Sequence, residues 1–456
     1  MSITRFKYYT FNLIYCVMDY DAIVVGGGVS GLLSTLALSK EGLKVLLLEK
    51  EMQLGGVLRS YNVDGYRIDT GPHIITRLEH GPFKYLMDRY FEVTPIFIPH
   101  GRYFVRLNGL VRPFPWNLRD WLSFDVIPPV DRLYLVKTLF SASYLLAPEV
   151  DLNRMSVADL VGDGVSPETK RFLDCMCAFM TGGSSTAETP VARFIDAERY
   201  KSISQGYLDK LYNVLMKEGG TDQTYPKMGV QSIIDSIMTS IGDRAVIKTG
   251  EEVQKIDVND DGVEVSTGQG GYRAKFVVYS GFASELPGLV SGLPGDYAKM
   301  LSGIKRINSM TVWLGLKKKI FSEQGSEIWA DSEPCSWVVP TSNYDPNLAP
   351  RDRQLVGFAF IFPRDFDLEF ERKKALGMIY ATIPSIEKNV EFVHVQSLVP
   401  EKAVWTVGAE FADVRTPHRR LYLAGTDTEK RSMGVTRASY SVVKLLSSLR
   451  EDKFIQ

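Results

Sequence analysis

The chain is poor in cysteine and histidine, with four and five among 456 residues. Cys16, Cys175, Cys177 and Cys335 are too few and too scattered for a disulfide framework or a zinc site. The histidines show no ligand spacing, so no metal is expected. Cys175-Met176-Cys177 offers two close thiols to a metal or an oxidant. It lies in Phe172 to Met180, which reads as an apolar helix, so the pair is expected to pack as small hydrophobes. Long apolar runs are missing as well: Leu133 to Leu146 comes nearest to a bilayer span, and Lys137 interrupts it. No excess of one charge sign exists, since 53 Lys and Arg stand against 54 Asp and Glu, which removes a general attraction for nucleic acid. Residues 1–17, with Arg5 and Lys7 ahead of Tyr8 to Val17, superficially look like a signal peptide. No small-residue cleavage site precedes Asp21, and they read as an N-terminal extension with Met18 as an alternative start. What remains is a globular composition, 45% hydrophobic and 23% charged, long enough for two domains.

The informative stretch begins at Tyr20. Asp21 to Val25 reads as a short buried strand, Gly26-Gly27-Gly28-Val29-Ser30-Gly31 as a turn opening an apolar helix that Gly42 stops, and Val45 to Leu48 as a second buried strand closed by Glu49. In a dinucleotide-binding βαβ unit, Gly26 makes the tight turn, Gly28 lets the backbone approach a pyrophosphate, and Gly31 lets the helix pack closely on the sheet. Val29 and Ser30 present free amide N–H groups at the helix start. Glu49 is placed to accept hydrogen bonds from ribose hydroxyls. A lone G-x-G-x-x-G is weak; with a strand before, a helix after and an acid at the end of the second strand it specifies a dinucleotide site.

Other chemistries lack their motifs. There is no second G-x-G-x-x-G for a nicotinamide domain, no redox cysteine pair after Gly55-Gly56, no G-x-S-x-G elbow and no H-E-x-x-H.

Downstream of Glu49, Leu54-Gly55-Gly56-Val57-Leu58-Arg59-Ser60 leads into a hairpin turning at Asp64-Gly65, then Tyr66-Arg67-Ile68-Asp69-Thr70-Gly71-Pro72. This pattern resembles the flavoprotein superfamily of protoporphyrinogen oxidases, phytoene desaturases and monoamine oxidases. The resemblance returns at Tyr225-Pro226-Lys227-Met228-Gly229-Val230 with Val253, and again at Leu421 to Thr428 and Met433 to Ala438. It implies FAD as cofactor, with Gly56, Arg59, Gly71 and Pro72 in the second motif and Val253 presenting its backbone to adenine. It also implies Gly425 and Asp427 at the ribityl chain, and Gly434 and Val435 opening a last helix whose positive end faces the flavin. No cysteine in the closing motif offers covalent attachment, so the FAD is expected to be non-covalent. His73 is the candidate catalytic group near the ring; a turn histidine is the competing reading.

The expected fold is α/β. A Rossmann-like FAD-binding domain is built from 18–80, 220–300 and 400–456, and a substrate domain of mixed sheet plus helices comes from 81–219 and 301–399. Pro82 to Gly219 reads as mainly helical. Amine oxidases of the superfamily carry a lysine on the strand entering the substrate domain, whereas Ile307 to Trp313 has none. Ser342 to Pro350 looks like a loop of phytoene desaturases and retinol-saturase-like proteins, and Tyr103 to Gly109 with Pro113-Phe114-Pro115 resembles protoporphyrinogen oxidases. The expectation is therefore a phytoene desaturase-like enzyme that moves hydride between an apolar small molecule and flavin. A protoporphyrinogen oxidase-like or amine oxidase-like enzyme is the alternative, and oxygen, quinone or another acceptor takes the electrons. Rab-escort and GDP-dissociation-inhibitor proteins share the fold without catalysis but do not need both glycine motifs.

Arg102 to Arg119 has four arginines and no acid, interleaved with Tyr103, Phe104, Phe114 and Trp116. Two readings stand: a peripheral membrane contact, or a basic face over a buried aromatic core. The protein is expected in the cytoplasm, with membrane attachment as the variant.

Overall fold

The computed structural model describes residues 19–71, 73–144, 151–182, 185–194, 222–362, 366–401 and 404–456, with backbone alone at 19, 139–144 and 398–401. The readings made for residues 1–17 and for Pro72 lie outside the described residues.

β1 (Asp19–Val25), α1 (Val29–Lys40) and β2 (Val45–Glu49) form the first βαβ unit. Every residue from Ser30 to Ser39 is buried, and β2 is buried along its whole length, as a central parallel strand must be. β3 (Ser60–Val63) and β4 (Tyr66–Asp69) pair around Asp64-Gly65, both with positive φ, the backbone that a two-residue hairpin turn demands. Next come β5 (Ile75–Thr76), α2 (Pro82–Tyr90), β6 (Phe97–Pro99), β7 (Arg102–Leu107), β8 (Leu110–Pro113), α3 (Leu118–Ser123), α4 (Pro129–Tyr144), α5 (Val157–Val161) and α6 (Pro167–Thr181).

β6 to β8 correct the mainly helical expectation for this stretch. In β7 the inward positions Tyr103, Val105 and Leu107 alternate with exposed or half-buried ones. Asn108-Gly109, again with positive φ, turns the chain into β8. The strand period was present but short, and helical patterns flank it.

The second half contains β9 (Gln223–Pro226), α7 (Gln231–Ile241), β10 (Ala245–Thr249), β11 (Val253–Val258), β12 (Val263–Thr267), β13 (Gly271–Tyr279) and α8 (Gly295–Ser302). It continues with β14 (Ile307–Leu316), β15 (Gly325–Trp329), β16 (Ser336–Val339), β17 (Gln354–Phe362), α9 (Leu368–Thr382), α10 (Pro384–Glu387), β18 (Val390–Glu401), β19 (Leu421–Leu423) and α11 (Gly434–Glu451).

One sheet runs β10-β2-β1-β13-β12-β11, with β19 added on β13; β10, β2, β1, β13 and β19 are parallel. Its strands come from three distant pieces of sequence. Apolar residues of α1, α2, α7 and α11 cover one face, among them Leu36, Leu86, Ile237 and Leu445. A second sheet runs β18-β14-β17-β16-β15-β7-β8. One of its faces, with Met310, Val312, Leu314, Phe358 and Phe360, packs on Ala375 and Ile379 of α9. The other meets the β3–β4 hairpin and the small β5-β9-β6 sheet through Trp313, Val339, Tyr66, Tyr225 and Tyr344.

The packing bears on two further readings. Tyr103 is buried, and Phe114 and Trp116 pack against the same cluster as Phe124, Leu135 and Phe172. Tyr103, Phe114 and Trp116 of the basic stretch therefore face a core, while Arg106 bonds Glu327 and Arg112 bonds Asp125. The cysteine expectation needs correction. Cys175 on α6 is joined to Cys335, which precedes β16, in a disulfide, and Cys177 is a buried small hydrophobe. A separation of 160 residues hid the pair, since spacing alone cannot show that α6 lies on β16. Among the described residues no helix is long and apolar enough to cross a membrane.

Candidate functional site

The site is built where parallel strands end. Val25, Tyr279 and Leu423, at the carboxyl ends of β1, β13 and β19, stand in register side by side. Gly26 to Gly31 and Gly425 to Asp427 therefore emerge next to each other at the sheet's switch point, the usual place for a ligand in such a fold. Gly26 has φ +104°, and its loop turns directly into α1. A methyl group built on Gly31 would stand 1.9 Å from the Gly26 carbonyl oxygen, so any larger residue would push helix off strand. A methyl on Gly28 would meet nothing within 4 Å: the loop packs tightly behind and is open in front. Val29 and Ser30 form the first turn of α1 behind it.

Glu49 lies at the end of β2, with only 8% of its surface exposed. Its Oε2 accepts from the Gly27 amide at 2.5 Å and its Oε1 from the Glu51 amide at 2.8 Å. Each oxygen keeps a lone pair for a hydroxyl donor. Gly27 escaped the sequence reading, yet a methyl there would lie 2.6 Å from Leu54 and 3.1 Å from Glu49. Gly56 is brought onto the same loop, its built methyl 3.2 Å from the Gly28 Cα. Arg59 is half-buried; its amide donates to Thr70 Oγ1 at 3.0 Å and its guanidinium reaches Gln53 at 3.4 Å. Val253 opens β11 and is buried beside Ile256 and Leu48. The neighbouring Glu251 amide bonds the Glu49 carbonyl.

At the other side, the Gly425 amide donates to Ser441 Oγ at 2.9 Å. Asp427 Oδ2 accepts from the Ala283 amide at 2.9 Å. Asp427 Oδ1, Ser280 Oγ and Thr426 Oγ1 are buried with no hydrogen-bond partner among the described residues. Buried polar atoms are normally satisfied, so these call for a group carrying both hydroxyl donors and phosphate-type acceptors. The open front of Gly28 and these orphaned oxygens fit FAD. Gly434, φ +51°, begins α11, Val435 beneath it is buried, and Thr436 Oγ1 donates to the Thr76 carbonyl at 2.9 Å.

Gly71, φ +81°, marks where this part of the chain meets the second sheet. Its amide donates to Gln396 Oε1 at 2.9 Å, and Thr311 Oγ1 lies 3.7 Å from a methyl built on it. His73 is half-buried with Nε2 2.9 Å from the Thr70 carbonyl oxygen. That contact holds it in the turn.

Two residues the sequence reading passed over organise this junction. Gln396 uses its whole amide: Oε1 accepts from Gly71 N and Trp313 Nε1, and Nε2 donates to the Asp69 carbonyl and Tyr61 Oη. Asp69, 1% exposed, accepts from Ser60 Oγ at 2.6 Å, Tyr225 Oη at 2.6 Å and the Val230 amide at 3.1 Å. Burial raises its pKa, and the Ser60 and Tyr225 hydrogen bonds act against that. Asp69 thereby ties β4 to β9 and to the start of α7. Asp345 performs a similar service in the Ser342 to Pro350 loop, accepting from the Met228 and Asn347 amides.

A family profile described as flavin containing amine oxidoreductase matches residues 29–439. All-trans-retinol 13,14-reductase of Rattus norvegicus is 37% identical over 73 residues, which span 16% of this chain and 12% of that enzyme. An oxidoreductase of known structure from Methanosarcina mazei superposes with a TM-score of 0.77 at 20% identity, over 94% of this chain and 100% of that one. Cyclohexylamine oxidase from Brevibacterium oxydans IH-35A does so with a TM-score of 0.68 at 16% identity, over 96% and 100%. At these identities the two structures establish the fold, and the profile, covering most of the chain, establishes the family. The chain belongs to the flavin containing amine oxidoreductases and is an FAD-dependent oxidoreductase.

Proposed function

We propose that the enzyme moves hydride between a lipophilic, isoprenoid- or polyene-type substrate and the flavin, in the manner of phytoene desaturases. One observation carries this reading, the side chains on the face of the second sheet that meets Gly71. Strand register puts Ser309, Thr311, Trp313 and Gly315 of β14 on that face. They are joined there by Leu355, Gly357, Ala359 and Ile361 of β17 and by Trp337 and Val339 of β16. None of these is a lysine or carboxylate; β18, the other neighbour of β14, adds Gln396 beside Thr311 and His394 beside Trp313. Ala359, Ile361 and Trp337 keep part of their surface uncovered, and Phe179 of α6 sits edge-on to Trp337 at 5.2 Å. Such a surface orients an apolar molecule and excludes water.

Bound FAD supplies the hydride acceptor. The pieces 18–80, 220–300 and 400–456 are inferred to hold it without a covalent link. Gly26, Gly28, Val29, Ser30 and Gly31 would lie at the pyrophosphate, Glu49 at ribose and Val253 at adenine. Gly425 and Asp427 would lie along the ribityl chain, and Gly434 and Val435 at the ring's pyrimidine end. Gly56, Arg59, Gly71 and Pro72 would border the cofactor from the second motif. The pieces 81–219 and 301–399 are inferred to hold the substrate. The retinol reductase match supports an unsaturated lipophilic substrate and leaves both directions of hydride flow open.

Amine oxidation is the second reading, favoured by the family description. Anaerobic mixing separates them: a lipophilic polyene precursor is expected to bleach the bound flavin, and simple primary amines and polyamines are not. Bleaching by an amine overturns the proposal, and bleaching by protoporphyrinogen replaces it with porphyrin oxidation. Reoxidation of chemically reduced flavin by an unsaturated isoprenoid assigns the reductive direction.

A further inference from the structure

We infer that the apolar face beside Gly71 ends in a polar pocket, formed by His100, Gln223 and Trp337, that takes a hydroxyl group of the substrate. Strand register draws one row across the second sheet on that face: Thr311 pairs Ala359, Ala359 pairs Trp337, Trp337 pairs Ile328 and Ile328 pairs Val105. Thr311 lies against Gly71, and Trp337 stands two strands away, about 10 Å across the sheet. Ser326, two residues before Ile328 on β15, shares the face and pairs Tyr103 of β7. His100 sits over this pair, its Nε2 3.1 Å from Ser326 Oγ and its ring stacked on Tyr103 at 4.3 Å. Gln223 reaches the same place from β9. Its carbonyl accepts the His100 amide at 2.8 Å, and it shares a strand face with Tyr225, which stacks on Tyr344 as His100 does.

Trp337 Nε1, His100 Nδ1 and Gln223 Oε1 are buried with no hydrogen-bond partner among the described residues. Trp337 packs against the cluster that holds Tyr225 and Tyr344, so the three groups converge around the same rings. Buried polar atoms are normally satisfied, and a few polar groups at the end of an apolar surface fix a ligand's orientation. The indole N–H only donates and the amide oxygen only accepts. Burial pushes the imidazole pKa of His100 down to about 3, so the ring is neutral, with one nitrogen donating and the other accepting. An alcohol offers both roles on one oxygen, whereas a carbonyl or ether only accepts, and a carboxylate buried among neutral groups carries a high desolvation cost. The hydroxyl assignment rests on the proposed lipophilic substrate and gives that molecule one polar end, set apart from the carbons that react beside Gly71.

Equilibrium dialysis of the oxidised, FAD-loaded protein against three labelled ligands of one saturated chain tests this: the isoprenoid alcohol phytanol, its methyl ether and the hydrocarbon phytane. Phytanol should bind at least about tenfold tighter than phytane, with the ether between them. Trp337→Phe keeps an aromatic ring and removes the N–H. It should cut the alcohol's advantage below about threefold while phytane affinity stays within about twofold of wild type, a split that a general packing defect does not produce. Gln223→Met should erase the difference between alcohol and ether, and serves if Trp337→Phe fails to fold. Equal binding of phytanol and phytane, or an alcohol preference unchanged in both variants, overturns the pocket and leaves the lipophilic-substrate reading standing. Failure of all three ligands to bind overturns both. Saturated ligands are bound without turnover, so an alcohol preference in a protein whose flavin no polyene bleaches overturns the reaction and not the pocket. Tighter binding of phytanic acid than of phytanol overturns the hydroxyl assignment, making the occupant an acid paired with protonated His100.

Discussion

Gln396 on β18 accepts the amide hydrogen of Gly71 at 2.9 Å, joining the turn beside the flavin motif to a strand of the second sheet. The same oxygen holds Trp313 of β14, and the same amide nitrogen holds the Asp69 carbonyl. One buried side chain thus fixes the position of the Gly71 turn against the apolar face proposed to carry substrate.

Gln396→Leu would leave the Gly71 amide, the Trp313 indole N–H and the Asp69 carbonyl unpaired. Each buried group left unsatisfied costs about 1–3 kcal/mol. Urea unfolding is expected to show a loss on the order of 3 kcal/mol, together with a shifted flavin absorption band. Gln396→Glu keeps both acceptor roles but sets a buried carboxylate oxygen against the Asp69 carbonyl, and should also lose stability. Equal stability of all three proteins would show that the network is solvated.

The glycines of the first loop should separate folding from cofactor binding. Gly31→Ala forces a methyl against a backbone oxygen, and overpacking of this kind costs about 1–3 kcal/mol in FAD-stripped protein. Gly28→Val projects into open space. The stripped protein should stay within about 1 kcal/mol of wild type, the scale of a change at a helix start, while FAD affinity falls roughly 100-fold, about 2.7 kcal/mol. Urea melts of stripped protein and flavin titration read the two effects independently, and full FAD affinity in Gly28→Val would move the site elsewhere.

Asp69 gives a pH dependence with a definite sign. Burial raises its folded pKa above the unfolded value, so its contribution is fully present below about 3.9, the unperturbed value. It is lost as pH rises through the folded pKa. The stability gap between wild type and Asp69→Asn should therefore move in the variant's favour as pH increases across that window. Urea midpoints measured from pH 4 to pH 7 test this, and a gap independent of pH would mean the carboxyl is not perturbed.

Cys177 is fully buried, and burial pushes its thiol up to about 12. It should resist iodoacetamide at pH 8 in the folded protein and react in denaturant, because the thiolate is the reactive form. Peptide mapping without reductant should recover Cys175 and Cys335 as one linked species. Modification of native Cys177, or free thiols at the other two positions, would contradict the packing of α6 on β16.

The parts of this protein that act through a few consecutive residues were legible in the sequence. The turn at Gly26, the close approach at Gly31, the β3–β4 hairpin at Asp64-Gly65 and strands such as β16 and β17 follow from local backbone demands and from period-two or continuous apolar patterns. The resemblance to flavoproteins added the far ends of the FAD motif. β6 to β8 were missed because short alternation between helices is a weak signal, and Gly27 because its neighbour Leu54 belongs to another motif.

Sequence by itself determined the dinucleotide loop, the α/β class and the absence of a lysine from β14, since each is written within one element. Only the tertiary structure decided that Gln396 reaches Gly71, that Asp69 holds the residue ahead of α7, that Cys175 meets Cys335 and that Leu122, Val130 and Leu133 are exposed. These depend on which elements lie side by side, and hydrogen bonds and burial act over a few ångströms of space whatever the separation along the chain.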